Sequence, residues 1–141
     1  MSYQSKTPTR GTQYREMEIL AASPARLVVL MFEHLEVSMR RARIAIDQGN
    51  VEQRVVLLGK ARAILSELLG TLDFEKGGTI ATELAQLYSF LLAELTDVGI
   101  RRDVQRLDRL VKIVNELREG FTGAAATVER EGMGTALAGT A

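Results

Sequence analysis

The stretch from Ser23 to Gln48 limits the fold of this chain more than any other part of the sequence. Ser23-Pro24 is a typical helix start, because serine caps free amides and proline has a fixed φ that suits the first helical turn. Apolar residues then recur at steps of three and four, on one side of an α-helix: Val28, Phe32, Leu35, Met39, Ala42 and Ile46. A helix of about 36 Å with one apolar side is not stable alone in water, so the pattern predicts that other helices cover it.

Three more segments show the same spacing, and the four predicted helices cover residues 23–48, 50–72, 79–98 and 103–121. Asn50, Thr79 and Asp103 are the predicted N-caps, and Gly77-Gly78 and Gly99 are the predicted interruptions. No segment alternates with the period of two that a strand requires. The sequence therefore predicts an all-α fold, an elongated antiparallel up-down four-helix bundle with flexible N- and C-terminal tails.

The two tails differ in composition. Residues 1–22 are polar at first and become apolar from Tyr14, which predicts a segment that folds back on the bundle. Residues 122–141 are rich in Gly, Ala and Thr, and we expect disorder there apart from a possible extension of the last helix across 123–130. The first twenty residues lack the apolar core of a signal peptide, and the longest apolar run, 27–32, is too short for a membrane span. We therefore expect a soluble cytoplasmic protein without membrane insertion.

The inventory of reactive side chains argues against an enzyme. The chain has no cysteine, which excludes disulfides, thiolate catalysis and cysteine-ligated metals. Its only histidine, His34, has no Glu-x-x-His partner motif, so we expect a partly buried or edge histidine rather than a metal ligand. A phosphate-binding glycine loop is missing, since Gly77-Gly78 alone is a helix stop. The sequence predicts no catalytic site, cofactor or metal.

Charge gives no general attraction to nucleic acid, because 18 Lys and Arg residues balance 18 Asp and Glu residues. Two basic clusters nevertheless stand out: Arg40, Arg41 and Arg43, and Arg101, Arg102, Arg106 and Arg109. Acidic residues such as Glu36 and Asp108 interleave with them, and aromatic residues are few. This pattern favours a solvated face or ion pairs between helices, and nucleic-acid binding is only a remote alternative.

Apolar side chains exceed what one stripe per helix requires. Those of the second and fourth predicted helices cover nearly half of each cylinder, and the first helix carries a second line formed by Leu30, Val37 and Ile44. Two interpretations are open at this point. The extra residues fill the flanks of the bundle or lie under the tails, or they form grooves that accept an amphipathic helix of a partner.

Several motifs resemble those of the flagellin-specific secretion chaperones of bacterial flagella. The resemblance begins with Tyr14 and Ala22-Ser23-Pro24 and covers about residues 14–121; its more specific parts are Phe74-Glu75-Lys76-Gly77-Gly78 and Leu87-Tyr88. The chain departs from the family pattern at five positions. Phe32-Glu33-His34 stands in place of Tyr-Asp-Gly, and Gly99 and Phe121 stand in place of Asn and Trp.

The resemblance implies a bundle that binds the C-terminal segment of flagellin in the cytoplasm, prevents premature polymerisation and delivers the cargo to the export gate protein of the flagellar type III apparatus. It also implies an N-terminal segment that packs on the bundle and shifts when flagellin arrives. Helical-wheel geometry selects candidate groove residues: Leu57, Ile64, Leu68, Phe90, Ile113 and Leu117. The candidate lid residues are Tyr14, Ile19 and Leu20. We expect a monomer or weak dimer; a self-assembling structural bundle or another helix-in-groove adaptor is the alternative.

Overall fold

The described part of the chain consists of four helices. A computed structural model describes the backbone of residues 24–138 and the side chains of residues 24–128, 130 and 131. The helices are α1 (Pro24–Asp47), α2 (Val51–Gly70), α3 (Phe74–Arg101) and α4 (Val104–Ala138). This confirms the prediction of an all-α four-helix fold. Across residues 24–138, no helix combines the length and apolarity that a membrane span needs.

Two helix starts follow the predicted capping chemistry. The side chain of Asn50 accepts a hydrogen bond of 3.1 Å from the backbone N–H of Gln53 at the start of α2. The carboxylate of Asp103 accepts one of 3.0 Å from the backbone N–H of Arg106 at the start of α4. Gly49 has a φ of +67°, a conformation that costs glycine little, and this allows the sharp turn between α1 and α2.

The start of α3 differs from the prediction, which placed the N-cap at Thr79. Asp73 is the actual N-cap, and its carboxylate accepts hydrogen bonds from the N–H groups of Glu75 and Lys76. One helical turn therefore precedes Gly78, whose φ of 50° and ψ of −125° place a kink inside the helix. The two glycines interrupt the helix at a single residue and do not end it, because the cap at Asp73 supports a turn on the other side.

The other end of α3 was also predicted too early. Gly99 does not end the helix, which continues to Arg101 and is closed by Arg102 in the left-handed conformation. The position of Gly99 has a packing reason instead. A Cβ atom there would lie 3.3 Å from Cδ1 of Leu58, so the missing side chain allows α2 and α3 to approach closely.

The predicted end of the last helix at residue 121 is wrong, since α4 continues to Ala138. Alanine has the highest helix propensity and no proline interrupts the segment, so a low-complexity composition here is compatible with a helix. The hydroxyl groups of Thr122 and Thr127 donate to the carbonyls of Arg118 and Gly123 and so remain within the helix. Ala125 is completely buried, so other residues cover this part of the extension.

The helices form a ring in which α1 packs extensively against both α2 and α4, while α3 packs against α2 and only weakly against α4. The ring of Phe32 on α1 lies in the middle, 5.0 Å from the ring of Phe121 on α4 and 6.1 Å from that of Tyr88 on α3. The predicted apolar side of α1 is confirmed, because Phe32, Leu35, Met39 and Ala42 are completely buried. His34 is exposed on the same helix, so it is not a core histidine.

A charged network closes the contact between α1 and α4. The carboxylate of Glu36 accepts hydrogen bonds of 2.8 Å from both Arg40 on its own helix and Arg118 on α4, and Arg118 also donates to Asn115. Burial disfavours the charged form of Glu36 and acts to raise its pKa. The hydrogen bonds and charges of Arg40 and Arg118 outweigh burial, and the pKa lies below its ordinary value. Farther along the same contact, Arg43 pairs with Asp108 at 2.9 Å.

We expect the substitution Glu36→Gln to lower the free energy of unfolding at pH 7 by about 2 kcal/mol, because Arg118 would lose a charged acceptor in a partly buried site. Since the folded state lowers the pKa of Glu36, its contribution is present above the unfolded pKa and is lost as the pH falls through the folded pKa. Urea unfolding of both proteins from pH 7 down to 3 measures this. The difference should shrink with acid, and a constant difference would contradict the assignment.

Candidate functional site

The apolar surface that the sequence contains in excess is only partly used by the bundle. The broad apolar face of α2 is largely internal, with Leu57, Leu58, Leu65 and Leu68 in the core. The second line of α1 remains on the surface, since Val37 is 46% exposed and Ile44 is 53% exposed. The surplus therefore lies only partly where the widest sequence patterns indicated, and a site has to be located from the contacts between helices.

The weakest contact in the ring is the one between α3 and α4. An ion-pair cluster joins the two helices near their turn, where Arg106 on α4 contacts Glu94 and Asp97 on α3. Leu87 lies seven residues before Glu94, and Ile113 lies seven residues after Arg106. Seven residues are about two helical turns, so Leu87 and Ile113 lie on the same facing sides as the ion pairs.

We call this contact the α3–α4 seam and define it by four apolar residues: Leu87, Phe90, Ile113 and Leu117. Leu87, Ile113 and Leu117 are only partly buried although they pack on the core, and Phe90 is 48% exposed. The residues that follow Phe90 and Ile113 in the chain, Leu91 and Val114, are completely buried. The seam is thus an apolar strip on the surface at the edge of the core.

A cavity of about 310 Å³ lies at the end of the bundle farther from the ion-pair cluster. We call it the end pocket. The helices α1, α3 and α4 and the α2–α3 connection contribute to its lining: Val28, Thr71, Leu72, Asp73, Lys76, Gly77, Ile80, Ala81, Leu84, Tyr88 and Phe121. Most of these side chains are apolar. Because Ile80 and Leu84 precede Leu87 on α3 and Phe121 follows Leu117 on α4, the end pocket and the seam are neighbours.

Tyr88 gives the end pocket a polar group. Its side chain is 1% exposed, and no described residue accepts a hydrogen bond from its hydroxyl. Among the described residues, every completely enclosed side-chain nitrogen or oxygen atom has a hydrogen-bond partner. Since the Tyr88 hydroxyl has none, it is not completely enclosed. It therefore reaches the pocket surface. Burial raises the pKa of Tyr88 to about 12, so the hydroxyl is a neutral donor at physiological pH.

The structure brings three of the six predicted groove residues together and separates the others. Phe90, Ile113 and Leu117 lie on the α3–α4 seam. Leu68 is completely buried and Leu57 is only 9% exposed, so the prediction that these two lie at a groove edge is wrong. Both belong to the core of the bundle, and Ile64 is partly buried against that core.

The sequence interpretation missed Ile80, Leu84, Leu87 and Phe121 as groove residues, although their spacing of three and four was visible on the predicted helices. The spacing does not give the order of the helices around the ring. That order decides whether the apolar side of a helix faces the core or an opening between helices. The predicted lid residues Tyr14, Ile19 and Leu20 lie outside the described residues.

The chemistry of this surface is that of binding. Within the described residues there is no group of His, Cys, Asp or Glu that could hold a metal ion. The lining supplies mainly aliphatic and aromatic side chains, with the polar groups of Thr71, Asp73, Lys76 and Tyr88 among them, which suits an amphipathic helix or an extended apolar segment.

Comparison with known proteins gives a consistent family. Residues 7–128 match the model of the family described as flagellar protein FliS. The chain is 32% identical over 107 residues to the flagellar secretion chaperone FliS of Salmonella typhimurium, an alignment that covers 75% of this chain and 79% of that protein. It is 30% identical over 115 residues to the flagellar secretion chaperone FliSB of Pseudomonas aeruginosa, covering 79% and 91% of the two chains.

A solved structure shows the same fold. The crystal structure of a bacterial flagellar chaperone superposes with a TM-score of 0.70 and covers 83% of this chain and 98% of its own. Sequence identity in that alignment is 18%, so the likeness supports the helical arrangement and not details of the surface.

We expect Tyr88→Phe to leave stability at pH 7 nearly unchanged, because the hydroxyl makes no hydrogen bond to a described residue. In the native protein burial disfavours the ionised phenol of Tyr88, so the unfolded state loses this proton at about pH 10 while the folded state keeps it up to about pH 12, and stability falls over that range. Urea unfolding should therefore show native protein and variant diverging between pH 10 and 12, with the variant losing less. Parallel curves would show that Tyr88 ionises normally.

Proposed function

Because the chain belongs to the FliS family of flagellar secretion chaperones, and is a flagellar export chaperone rather than an enzyme, we propose that its cargo is flagellin, bound in the cytoplasm through its C-terminal segment. The observation that carries this proposal is the apolar strip formed by the α3–α4 seam and the adjoining end pocket. The strip has the composition and shape to take up an amphipathic segment.

The seam suits a helix laid along it. An amphipathic helix places apolar side chains at steps of three and four, the same spacing that Leu87, Ile113 and Leu117 present to it. Phe90 at the rim adds aromatic area at low cost in side-chain entropy. The end pocket then takes one large apolar side chain, and the Tyr88 hydroxyl is available to hydrogen-bond a backbone carbonyl next to it.

Masking explains how such binding serves export. A flagellin terminus that joins subunits in the filament has an apolar face, and covering that face prevents assembly before export. A disordered cargo segment loses conformational entropy when it orders on the chaperone, which lowers affinity for a given contact area and keeps release possible. No nucleotide is required, since delivery to an export gate protein exchanges one set of contacts for another.

The N-terminal segment belongs to the same proposal. Tyr14, Ile19 and Leu20 are apolar residues just before α1, and Val28 of α1 lines the end pocket. Leu20 lies only four residues before the start of α1 at Pro24, a stretch that spans at most roughly 13 Å at about 3.3 Å per extended residue. We propose that these residues cover the end pocket and seam as a lid until cargo displaces them.

The first test is calorimetric titration of the chain with a peptide from the C-terminal segment of flagellin. We expect one-to-one binding with a negative heat-capacity change, the signature of apolar burial. Phe90→Glu should weaken binding by roughly tenfold or more, because an apolar contact is replaced by a charge. Val56→Glu is the matched control, since Val56 on α2 is similarly exposed at 44% but lies away from the seam. Equal weakening by both variants would refute the seam as the binding surface.

The lid can be tested separately by deleting residues 1–20. If the segment covers the pocket and seam, the truncated chain should bind the flagellin peptide severalfold more tightly, because cargo no longer competes with an internal ligand. Binding of a hydrophobic dye should also increase while circular dichroism stays helical. Unchanged affinity with a folded truncated chain would contradict the lid and leave the cargo proposal standing.

A further inference from the structure

The charges of the bundle are strongly separated although the chain as a whole is neutral. We call the end formed by the turns at residues 48–50 and 102–103 the basic end. Residues 37–60 and 91–114, which lie within roughly 18 Å of these turns at 1.5 Å per helical residue, contain ten Lys or Arg and six Asp or Glu. The rest of the described bundle contains five Lys or Arg and ten Asp or Glu, in residues 24–36, 61–90 and 115–131. The end with the apolar pocket is therefore acidic and the opposite end is basic.

At the basic end, ion pairs occupy all but one of the acidic side chains, and several basic side chains remain without an acidic partner. Asp47 and Asp108 pair with Arg43, while Glu94, Asp97 and Asp103 are taken by Arg106, with Arg101 also on Asp97. Of the acids in residues 37–60 and 91–114, this leaves Glu52. The cations in the same ranges that have no acidic partner among the described residues are Arg41, Arg54, Lys60, Arg102, Arg109 and Lys112.

Exposed aliphatic side chains lie among these cations. Val51 is 52% exposed, Val55 is 57% exposed and Ile100 is 76% exposed, the largest value among the large apolar residues described. The close approach of Gly99 to Leu58 shows where α2 and α3 meet near these side chains. Val55 is one turn before Leu58, and Ile100 directly follows Gly99, so both extend from this contact toward the basic end.

Arg54 and Arg102 belong to the same edge. Arg54 precedes Val55 on α2, and Arg102 follows Ile100 by two residues as the left-handed cap of α3. We define the basic-end patch by these five residues: Val51, Arg54, Val55, Ile100 and Arg102. None of these five residues belongs to the α3–α4 seam or lines the end pocket.

We propose that the basic-end patch is a second docking surface, which binds an acidic protein segment with interspersed aliphatic residues. The surplus cations attract carboxylates, because ion pairs already neutralise most of the local acidic side chains. The three aliphatic side chains supply apolar contact, which slows dissociation of the bound segment. The cargo on the seam and this second partner then contact different sides of the chaperone and can be bound together.

The composition of the patch favours a protein over other polyanions. Nucleic acid calls for a row of cations or for aromatic side chains that stack on bases, and the patch has two arginines separated by aliphatic residues and no aromatic group. Binding in a membrane interface favours Trp, Tyr or Phe beside basic residues, which the patch also lacks. The carboxylate of Glu52, next to Val51, repels a uniformly anionic surface. A protein segment avoids this repulsion, because it can place a neutral or basic residue next to Glu52.

The test uses a defined probe, a 20-residue helical peptide with Glu on one side and Leu or Val on the other, labelled for fluorescence anisotropy with the full chain. We expect the double variant Arg54→Gln/Arg102→Asn to weaken binding by roughly fivefold to tenfold at low salt, as two rim charges allow. Asparagine tolerates the left-handed conformation at position 102, so the cap is retained. Ile100→Gln should weaken binding by a similar factor, at low and high salt alike.

Controls come from the acidic end. Val128→Gln removes an apolar side chain that is 54% exposed, and Lys76→Gln removes a cation beside the end pocket. Both should leave peptide affinity unchanged. Backbone amide NMR of the full chain should show shifts centred on residues 51–55 and 99–102, and circular dichroism should confirm that every variant is folded.

Several results would overturn the proposal. A peptide with Lys in place of Glu that bound as tightly would remove the electrostatic argument. Shifts centred on the α3–α4 seam, or equal weakening by the control variants, would move the peptide to the cargo site. Retention on phosphatidylglycerol vesicles or on duplex DNA without binding of the acidic peptide would assign the patch to lipid or nucleic acid. Binding of the flagellin peptide to Arg54→Gln/Arg102→Asn is measured as well. If that binding persists, the cargo proposal stands even when the basic-end patch proposal fails.

Discussion

The structure depends on the burial of one side of α1 between α2 and α4. Phe32, Leu35, Met39 and Ala42 have no exposed surface, and the rings of Phe121 and Tyr88 converge on Phe32 from two other helices. Glu36 and Arg118 then close the α1–α4 contact with charged hydrogen bonds of 2.8 Å. Apolar burial supplies the driving force, and the paired charges fix the register because an unpaired Glu36 in that place would be costly.

The same arrangement explains why α3 faces an opening. Since α1 occupies the contact surfaces of both α2 and α4, α3 is held mainly by α2, where Gly99 allows close approach, and by ion pairs of Arg106 near the turn. Beyond those ion pairs, α3 and α4 have little to hold them together. Leu87, Ile113 and Leu117 therefore remain partly accessible without any weakening of the core. A bundle of this construction keeps a stable interior while leaving an apolar strip accessible.

The sequence predicted features that depend on local chemistry and failed where distant contacts decide. The apolar side of α1 and the caps Asn50 and Asp103 follow from spacing and hydrogen bonding within a few residues, and they are confirmed. Thr79 was the wrong cap because Asp73 supports a turn before the kink at Gly78, and residue 121 was the wrong end because alanine-rich composition also permits a helix. Leu57 and Leu68 were misplaced because a helical wheel gives the width of an apolar face but not which neighbours cover it.

Charge separation adds an orientation that apolar packing alone does not give. A partner that comes within the Debye length of the two ends, about 8 Å at physiological ionic strength, is oriented by their opposite charges before it makes contact. Acidic residues outnumber basic ones ten to five in the half of the bundle that holds the end pocket, whereas Arg54 and Arg102 border exposed aliphatic residues at the other end. The two apolar surfaces of the bundle therefore differ in charge as well as in position. Under the two proposals made above, an acidic amphipathic segment prefers the basic-end patch and a segment of the opposite charge prefers the surroundings of the end pocket, so the two proposed partners do not compete for one surface.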